Sequence, residues 1–175
     1  LNLIDAEKIS APKVLLKKVY DSTEFYYSAI VARSDSSIKS VKDLKGKKIA
    51  FVDPKSTSGY LYPQVLLKKA GLGLSDVKFE FSGTHKASMA LLDEKKVDAV
   101  AVWASEPELG EGAWTDERYV ESGKKKFKVL QYSDPIPNDA FVVRKEFYEK
   151  EPSLVLMVME KMIELGEGPD NVLKK

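Results

Sequence analysis

Apolar and polar positions along the chain follow two periods, which predicts strands separated by helices. Clusters of β-branched and aromatic residues indicate strands, and apolar residues three or four positions apart indicate helices. The predicted strands are residues 25–32, 49–52, 77–81, 97–102, 127–130 and 140–143. The predicted helices are residues 40–46, 61–70, a segment around 87–95, and 153–165, whereas 104–125 resembles a loop. This alternation favours an α/β fold with a mainly parallel sheet flanked by helices.

The strand at 77–81 has the clearest alternation. Val77, Phe79 and Phe81 alternate with Lys78 and Glu80. Because successive side chains of a strand point to opposite faces, we expect the apolar face of this strand to be buried.

Composition excludes several classes of protein. The chain is 43% hydrophobic and 31% charged with a net charge of +1, so it is globular and lacks the basic field of a nucleic-acid-binding protein. Cysteine is absent, which removes disulfides, thiolate catalysis and cysteine-based zinc sites. We expect no cofactor and no metal. No apolar stretch approaches the length of a membrane span, so we expect any signal or membrane tether to lie outside this sequence.

Four turns directly follow predicted strands: residues 56–59, residues 83–85, the loop after Val102 and residues 134–139. Ligands of open α/β sheets bind beyond the carboxyl ends of the strands. We therefore expect these turns to converge on one edge of the sheet and to form the binding site.

The first of these turns contains three consecutive hydroxyl residues, Ser56, Thr57 and Ser58, which we call the serine-rich turn. It precedes a predicted helix, whose first N–H groups lack intrahelical partners and lie at the positive end of the helix dipole. Such a turn suits an oxyanion. An ordinary helix N-cap uses the same residues, so both interpretations stay open here. No Gly-Lys-Ser/Thr sequence is present, which disfavours nucleotide hydrolysis.

The other candidate groups are less distinctive by themselves. His85 lies two residues after a glycine at a second helix start, and beside an anion it could donate from either tautomer. A carboxylate such as Asp139 repels a fully ionised anion, so it is useful only where the ligand carries a proton or an ammonium. A surface histidine and an ordinary turn aspartate remain the alternatives.

Six motifs in the same order resemble the phosphonate-binding proteins of ABC importers, which are type II periplasmic binding proteins and include phosphite and phosphate binders. The resemblance runs from about Phe25 to Arg144. The motifs are Tyr26-Tyr27-Ser28, residues 41–48, Asp53-Pro54 with residues 56–60, Ser82-Gly83 with His85, residues 96–99, and residues 135–139.

This resemblance implies roles for individual residues. The serine-rich turn would hold the phosphorus oxyanion, with His85 as a further donor and Tyr26 lining the cleft near the hinge. Asp139 matches an acidic residue that faces the ligand amine in aminophosphonate binders. A second such acidic residue would fall near Ser105, where this chain has Ser105-Glu106, so the match at this contact is offset by one residue. Tyr27, Gly59 and Glu106 are additional candidate contacts.

The resemblance also implies two lobes joined by crossing strands. Residues 29–142 would form the second, ligand-binding lobe. Residues 1–28 and 143–175 would supply the crossing strands and part of an incomplete first lobe. An ABC permease is then the expected partner and the periplasm or extracytoplasmic face the expected location. We further expect the incomplete lobe to promote oligomer formation.

Two other functions use the same groups. An extracytoplasmic sensor domain would bind the same ligand and signal to a kinase. A hydrolase would use His85 as base and a serine of the serine-rich turn as nucleophile. The sequence lacks Gly-x-Ser-x-Gly, His-x-x-x-His and a second histidine, so we do not expect an enzyme.

Overall fold

The structure is a computed structural model that describes residues 11–19, 23–116 and 123–167. The chain divides into two compact units. One contains Phe25–Ile136, and the other combines Leu1–Glu24 with Pro137–Lys175. From the sequence we expect residues 29–142 to form one lobe of a two-lobed binding protein. This lobe boundary stays a prediction, because the two compact units are defined by contacts within this chain alone.

The six predicted strands are present in the predicted order, together with two further strands. The strands are β1 Lys13–Lys17, β2 Phe25–Arg33, β3 Lys48–Phe51, β4 Lys78–Phe81, β5 Ala99–Ala104, β6 Phe127–Tyr132, β7 Ile136–Pro137 and β8 Ala140–Val143, of which β1 and β7 were not predicted. The α-helices are α1 Tyr62–Lys69, α2 His85–Asp93, α3 Gly123–Lys126, α4 Lys145–Lys150 and α5 Pro152–Glu167. Short 3₁₀ helices cover Val41–Leu44 and Leu74–Asp76, and one π-helical turn covers Thr57–Leu61.

The sheet of the 25–136 unit has the strand order β4-β3-β5-β2-β6. Strand β3 is parallel to both β4 and β5, whereas β2 runs antiparallel between β5 and β6. The α/β class is therefore confirmed, with a mixed sheet in which β2 runs against β3, β4, β5 and β6. As a consequence, the first residues of β2 lie at the same edge as the carboxyl ends of β3, β4, β5 and β6.

Helices cover both faces of this sheet because β2 is apolar on both. Ile30 and Ala32 belong to a core cluster that includes Leu66 and Leu67 of α1. Ala29 and Val31 belong to a second cluster with Met89 and Leu92 of α2, and with Trp114 from the loop after β5. Central strands buried on both faces are typical of three-layer α/β domains.

The predicted burial of the apolar face of residues 77–81 is wrong at two of its three positions. Val77 is buried, but Phe79 and Phe81 are each 42% exposed. Strand β4 is the edge strand of the sheet, so its side chains have neighbours on one side only. The two phenylalanine rings instead pack against Phe51 of β3, with centroids 5.7 and 6.5 Å away.

In the second unit, β1 and β8 form an antiparallel pair with a register shift between Val14 and Leu16. The segment before β8 is fixed by Asn138, whose Nδ2 donates to the Thr23 carbonyl at 3.0 Å. Helix α5 buries Val155 but exposes other large apolar side chains, including Leu156 and Met157. Among the described residues, no helix combines the length and apolar character needed to cross a bilayer.

Candidate functional site

The chain adds its next strand on one side of β3 and the following strand on the other side. The segment containing α1 leads from β3 outward to β4, and the segment containing α2 leads back across to β5 on the other side of β3. The two helices pack in different core clusters, on opposite faces of the sheet. The crevice between β3 and β5 is thus a topological switch point, which is where open α/β sheets bind ligands.

The serine-rich turn opens the helix on one side of this crevice. Ser56 is the N-cap, and its Oγ accepts the Gly59 N–H at 3.0 Å. The Ser56 carbonyl accepts the N–H groups of Tyr60 and Leu61 at 3.1 and 3.0 Å, so the helix starts with a π-helical turn. The N–H groups of Thr57 and Ser58 precede these first intrahelical bonds, which leaves them available to an anion.

The turn is held against the sheet from two directions. The buried Ser28 hydroxyl of β2 donates to the Ser58 carbonyl at 2.6 Å. The Val52 N–H, which follows β3, donates to the Gly59 carbonyl at 3.1 Å. Gly59 lies so close to this strand that an added Cβ would stand 2.4 Å from Val52 Cγ2. Gly59 is therefore required for close packing, beyond any contact with a ligand.

His85 opens α2 on the other side of the crevice. Thr84 is the N-cap of α2, and its Oγ1 accepts the Ala87 N–H at 3.0 Å. The His85 Nδ1 atom accepts the backbone N–H of Trp103 in β5 at 3.2 Å. An accepting Nδ1 carries no proton, so the neutral imidazole bears its proton on Nε2. The sequence leaves both tautomers of His85 open. The structure selects the one in which Nε2 is the donor.

Burial lowers the pKa of His85 below its ordinary value of 6.5, and the Asp53 carboxylate opposes this shift only in part. Protonation of Nδ1 would also turn the contact with the Trp103 N–H into a clash of two donors. His85 is consequently neutral near pH 7. The described part of the site presents uncharged donors at two helix starts.

Sheet register places the anchors of these two turns side by side. Ser28, which holds Ser58, is the cross-strand partner of Trp103, which holds His85. One pair of adjacent sheet residues therefore fixes both the serine-rich turn and the histidine.

The remaining candidates fall in different places. Tyr26 and Tyr27 are half-buried at the start of β2, at the same edge of the sheet. Glu106 is half-buried in the turn after β5, where its carbonyl accepts the Leu109 N–H at 3.0 Å. Asp139 belongs to the other unit, where it is exposed and its carbonyl accepts the Lys18 N–H at 2.9 Å. The structure therefore groups every candidate except Asp139 in the 25–136 unit.

Sequence reasoning missed three residues at this edge. Asp53 acts electrostatically on His85, and its position directly after a strand was a usable signal. Ser28 ends the motif Tyr26-Tyr27-Ser28 and precedes an apolar run, but neither feature assigns it a role in the site. Tyr132 ends β6, where burial and the Glu108 carboxylate raise its pKa, and no local pattern distinguishes it from a core tyrosine.

Two further observations concern alternative sites. Across residues 11–19, 23–116 and 123–167, no group of three or more His, Asp or Glu side chains is arranged to hold a metal ion. A depression of about 520 Å³ lies at the carboxyl end of α1, lined by residues that include Leu67, Lys68 and Leu72. That depression is at the opposite end of α1 from the serine-rich turn.

The sequence profile described as "ABC transporter, phosphonate, periplasmic substrate-binding protein" matches residues 1–171. The chain belongs to this family. It is 31% identical over 120 residues to the phosphate-import protein PhnD of Mycolicibacterium smegmatis, which covers 66% of this chain and 37% of that protein. The chain thus spans well under half the length of this relative.

Solved structures show the same fold. XAC2383 from Xanthomonas citri, bound to chloride, superposes with a TM-score of 0.71 at 21% identity, covering 93% of this chain and 60% of that one. PhnD1 from Prochlorococcus marinus in complex with methylphosphonate superposes with a TM-score of 0.66 at 18% identity, covering 90% of this chain and 59% of that one. The resemblance inferred from the six motifs is confirmed at the level of family and fold.

Proposed function

We propose that this chain is part of the substrate-binding component of an ABC importer and captures a small phosphorus oxyanion. The ligand class is phosphonate, phosphite or phosphate. The proposed contacts are the serine-rich turn and the Nε2–H of His85, with Tyr26 and Tyr27 at the margin and Gly59 shaping the turn. The observation that carries the proposal is the pairing of Ser28 with Trp103, which holds both helix starts beside the switch point.

Neutral donors suit this ligand class. A desolvated anion needs nearly complete hydrogen bonding, since each unpaired buried polar group costs about 1–3 kcal/mol and charged groups cost more. Hydroxyls, helix N–H groups and a neutral imidazole supply donors. The sequence offers only three arginines from which bidentate guanidinium contacts could be built.

The histidine tautomer favours binding over hydrolysis. A general base for a serine nucleophile must accept at the nitrogen that faces the hydroxyl. In this structure the Trp103 N–H occupies the acceptor Nδ1, so Nε2 is a donor at neutral pH. The members of the family are periplasmic binding proteins, and we propose the periplasmic or extracytoplasmic face as the location and a permease as the partner. No observation favours the sensor alternative.

A titration with Thr57 variants tests the proposal. Isothermal calorimetry with inorganic phosphate, phosphite and methylphosphonate should show binding of at least one ligand by the unaltered chain. Thr57→Ala should weaken that ligand about tenfold or more, because a hydrogen bond to a charged group contributes about 1.5–3 kcal/mol.

Thr57→Ser is the matched control, since it keeps the hydroxyl. It should retain most of the affinity. Equal affinity of the unaltered chain and Thr57→Ala would remove Thr57 from the site, and absence of binding to all three anions would contradict the proposed ligand class.

A further inference from the structure

Ser28 is a polar residue at a position where the fold otherwise places apolar ones. It lies in β2 before Ala29, Ile30 and Val31, and like them it is 0% exposed. A buried hydroxyl without a partner is destabilising, so a serine here requires an explanation in terms of its hydrogen bonds.

All the polar groups of Ser28 are engaged. Its Oγ donates to the Ser58 carbonyl at 2.6 Å, and its N–H donates to Ser133 Oγ at 2.9 Å. Its carbonyl accepts the Ser133 N–H at 2.8 Å. The Ser133 hydroxyl in turn donates to the Asp134 carbonyl at 2.7 Å. Ser28 thus joins the serine-rich turn to the turn that follows β6.

The register of the sheet extends this connection to the histidine. Ser28 stands opposite Trp103, whose N–H donates to His85 Nδ1 and so leaves Nε2 as the donor nitrogen. A shift of β2 or of the Ser58 carbonyl would therefore change the spacing between the serine-rich turn and His85 Nε2. An oxyanion that contacts both requires this spacing to be fixed before it binds.

We propose that Ser28 is a positioning residue that sets the serine-rich turn relative to His85 without contacting the ligand. This inference rests on the proposed function for its effect on affinity. Its structural part, the link between Ser28 and the two turns, is independent of any ligand.

The test compares Ser28→Ala with Ser36→Ala. Ser36 is a suitable control because its Oγ also donates to a backbone carbonyl, that of Arg33, at 2.8 Å, just beyond the other end of β2. Ser28→Cys is a third variant that keeps a weak donor at the same place. Since His85 is the single histidine of the chain, its imidazole signals in a ¹H–¹⁵N spectrum need no assignment among residues.

Without ligand, Ser28→Ala should shift the His85 imidazole signals and speed hydrogen exchange of the Gly59 amide, whereas Ser36→Ala should change neither. With methylphosphonate, phosphite or phosphate, whichever the unaltered chain binds, Ser28→Ala should reduce affinity about tenfold, and Ser28→Cys should recover part of that loss.

Two results would overturn the inference. One is an unchanged His85 spectrum and unchanged Gly59 exchange in Ser28→Ala. The other is an affinity loss in Ser28→Ala that is no larger than the loss in Ser36→Ala, when the two variants lose the same amount of stability. If the unaltered chain binds none of the three anions, the proposed function fails, and the ligand-free spectra still decide the role of Ser28.

Discussion

Gly59→Ala should destabilise the 25–136 unit by distorting the serine-rich turn. The added Cβ would lie 2.4 Å from Val52 Cγ2 and 2.7 Å from Ser56 Oγ. Val52 is β-branched and 4% exposed, so it has little freedom to move away. Ser56 Oγ is also the acceptor of the Gly59 N–H, so its displacement would break the N-cap.

The expected cost follows from these contacts. Forcing an extra methyl into a packed site costs about 1–3 kcal/mol, and loss of a serine N-cap costs about 1 kcal/mol more. We expect a loss of about 2–4 kcal/mol, together with a loss of oxyanion affinity of about tenfold or more because the donors of the turn move. Urea unfolding followed by tryptophan fluorescence reports this unit directly, since Trp103 and Trp114 both belong to it.

Gly73→Ala provides the matched control. Gly73 has φ −105°, which alanine adopts freely, and the nearest neighbour of its added Cβ would be Ser75 Oγ at 3.6 Å. It should leave affinity unchanged and stabilise the unit slightly, by about 0.4–1 kcal/mol, through the unfolded state. Similar unfolding midpoints for the two variants would refute the packing argument at Gly59.

Two predictions concern charge. The lowered pKa of His85 means that its contribution to stability is fully present above pH 6.5 and is lost as the pH falls through the lowered folded-state pKa. Urea unfolding over this range, compared with His85→Gln, should show the loss, and stability that increases on acidification relative to this variant would contradict the assignment. The family resemblance assigns Asp139 to the ligand amine. In calorimetry, Asp139→Asn should therefore reduce the affinity for 2-aminoethylphosphonate but not the affinity for methylphosphonate. Equal loss for both ligands would make Asp139 a purely structural residue.

The sequence predicts the elements well because apolar periodicity decides them locally. Strand β2 and helix α5 both lie within a few residues of their predicted bounds. The exposure of Phe79 and Phe81 could not be predicted, because it depends on β4 being at the edge of the sheet, and strand order is set by contacts distant in the chain.

The candidate site shows the same division between local and distant information. The serine-rich turn is recognisable from consecutive hydroxyl residues after a strand. The tautomer of His85 is not, because its partner is a backbone N–H 18 residues later in the chain. Ser28 is likewise linked to Ser58 over 30 residues and to Ser133 over 105, and only the folded sheet brings them together.

The central claim is that one oxyanion is bound by both the serine-rich turn and the neutral His85. The most direct measurement is a ¹H–¹⁵N titration of the chain with methylphosphonate, followed at the His85 imidazole and at the amides of Thr57 and Ser58. We predict that all three sets of signals move together with one binding constant, and that the ligand raises the pKa of His85 from its lowered value because an anion favours the charged imidazole. Binding that leaves the His85 imidazole and these two amides unchanged would contradict the account.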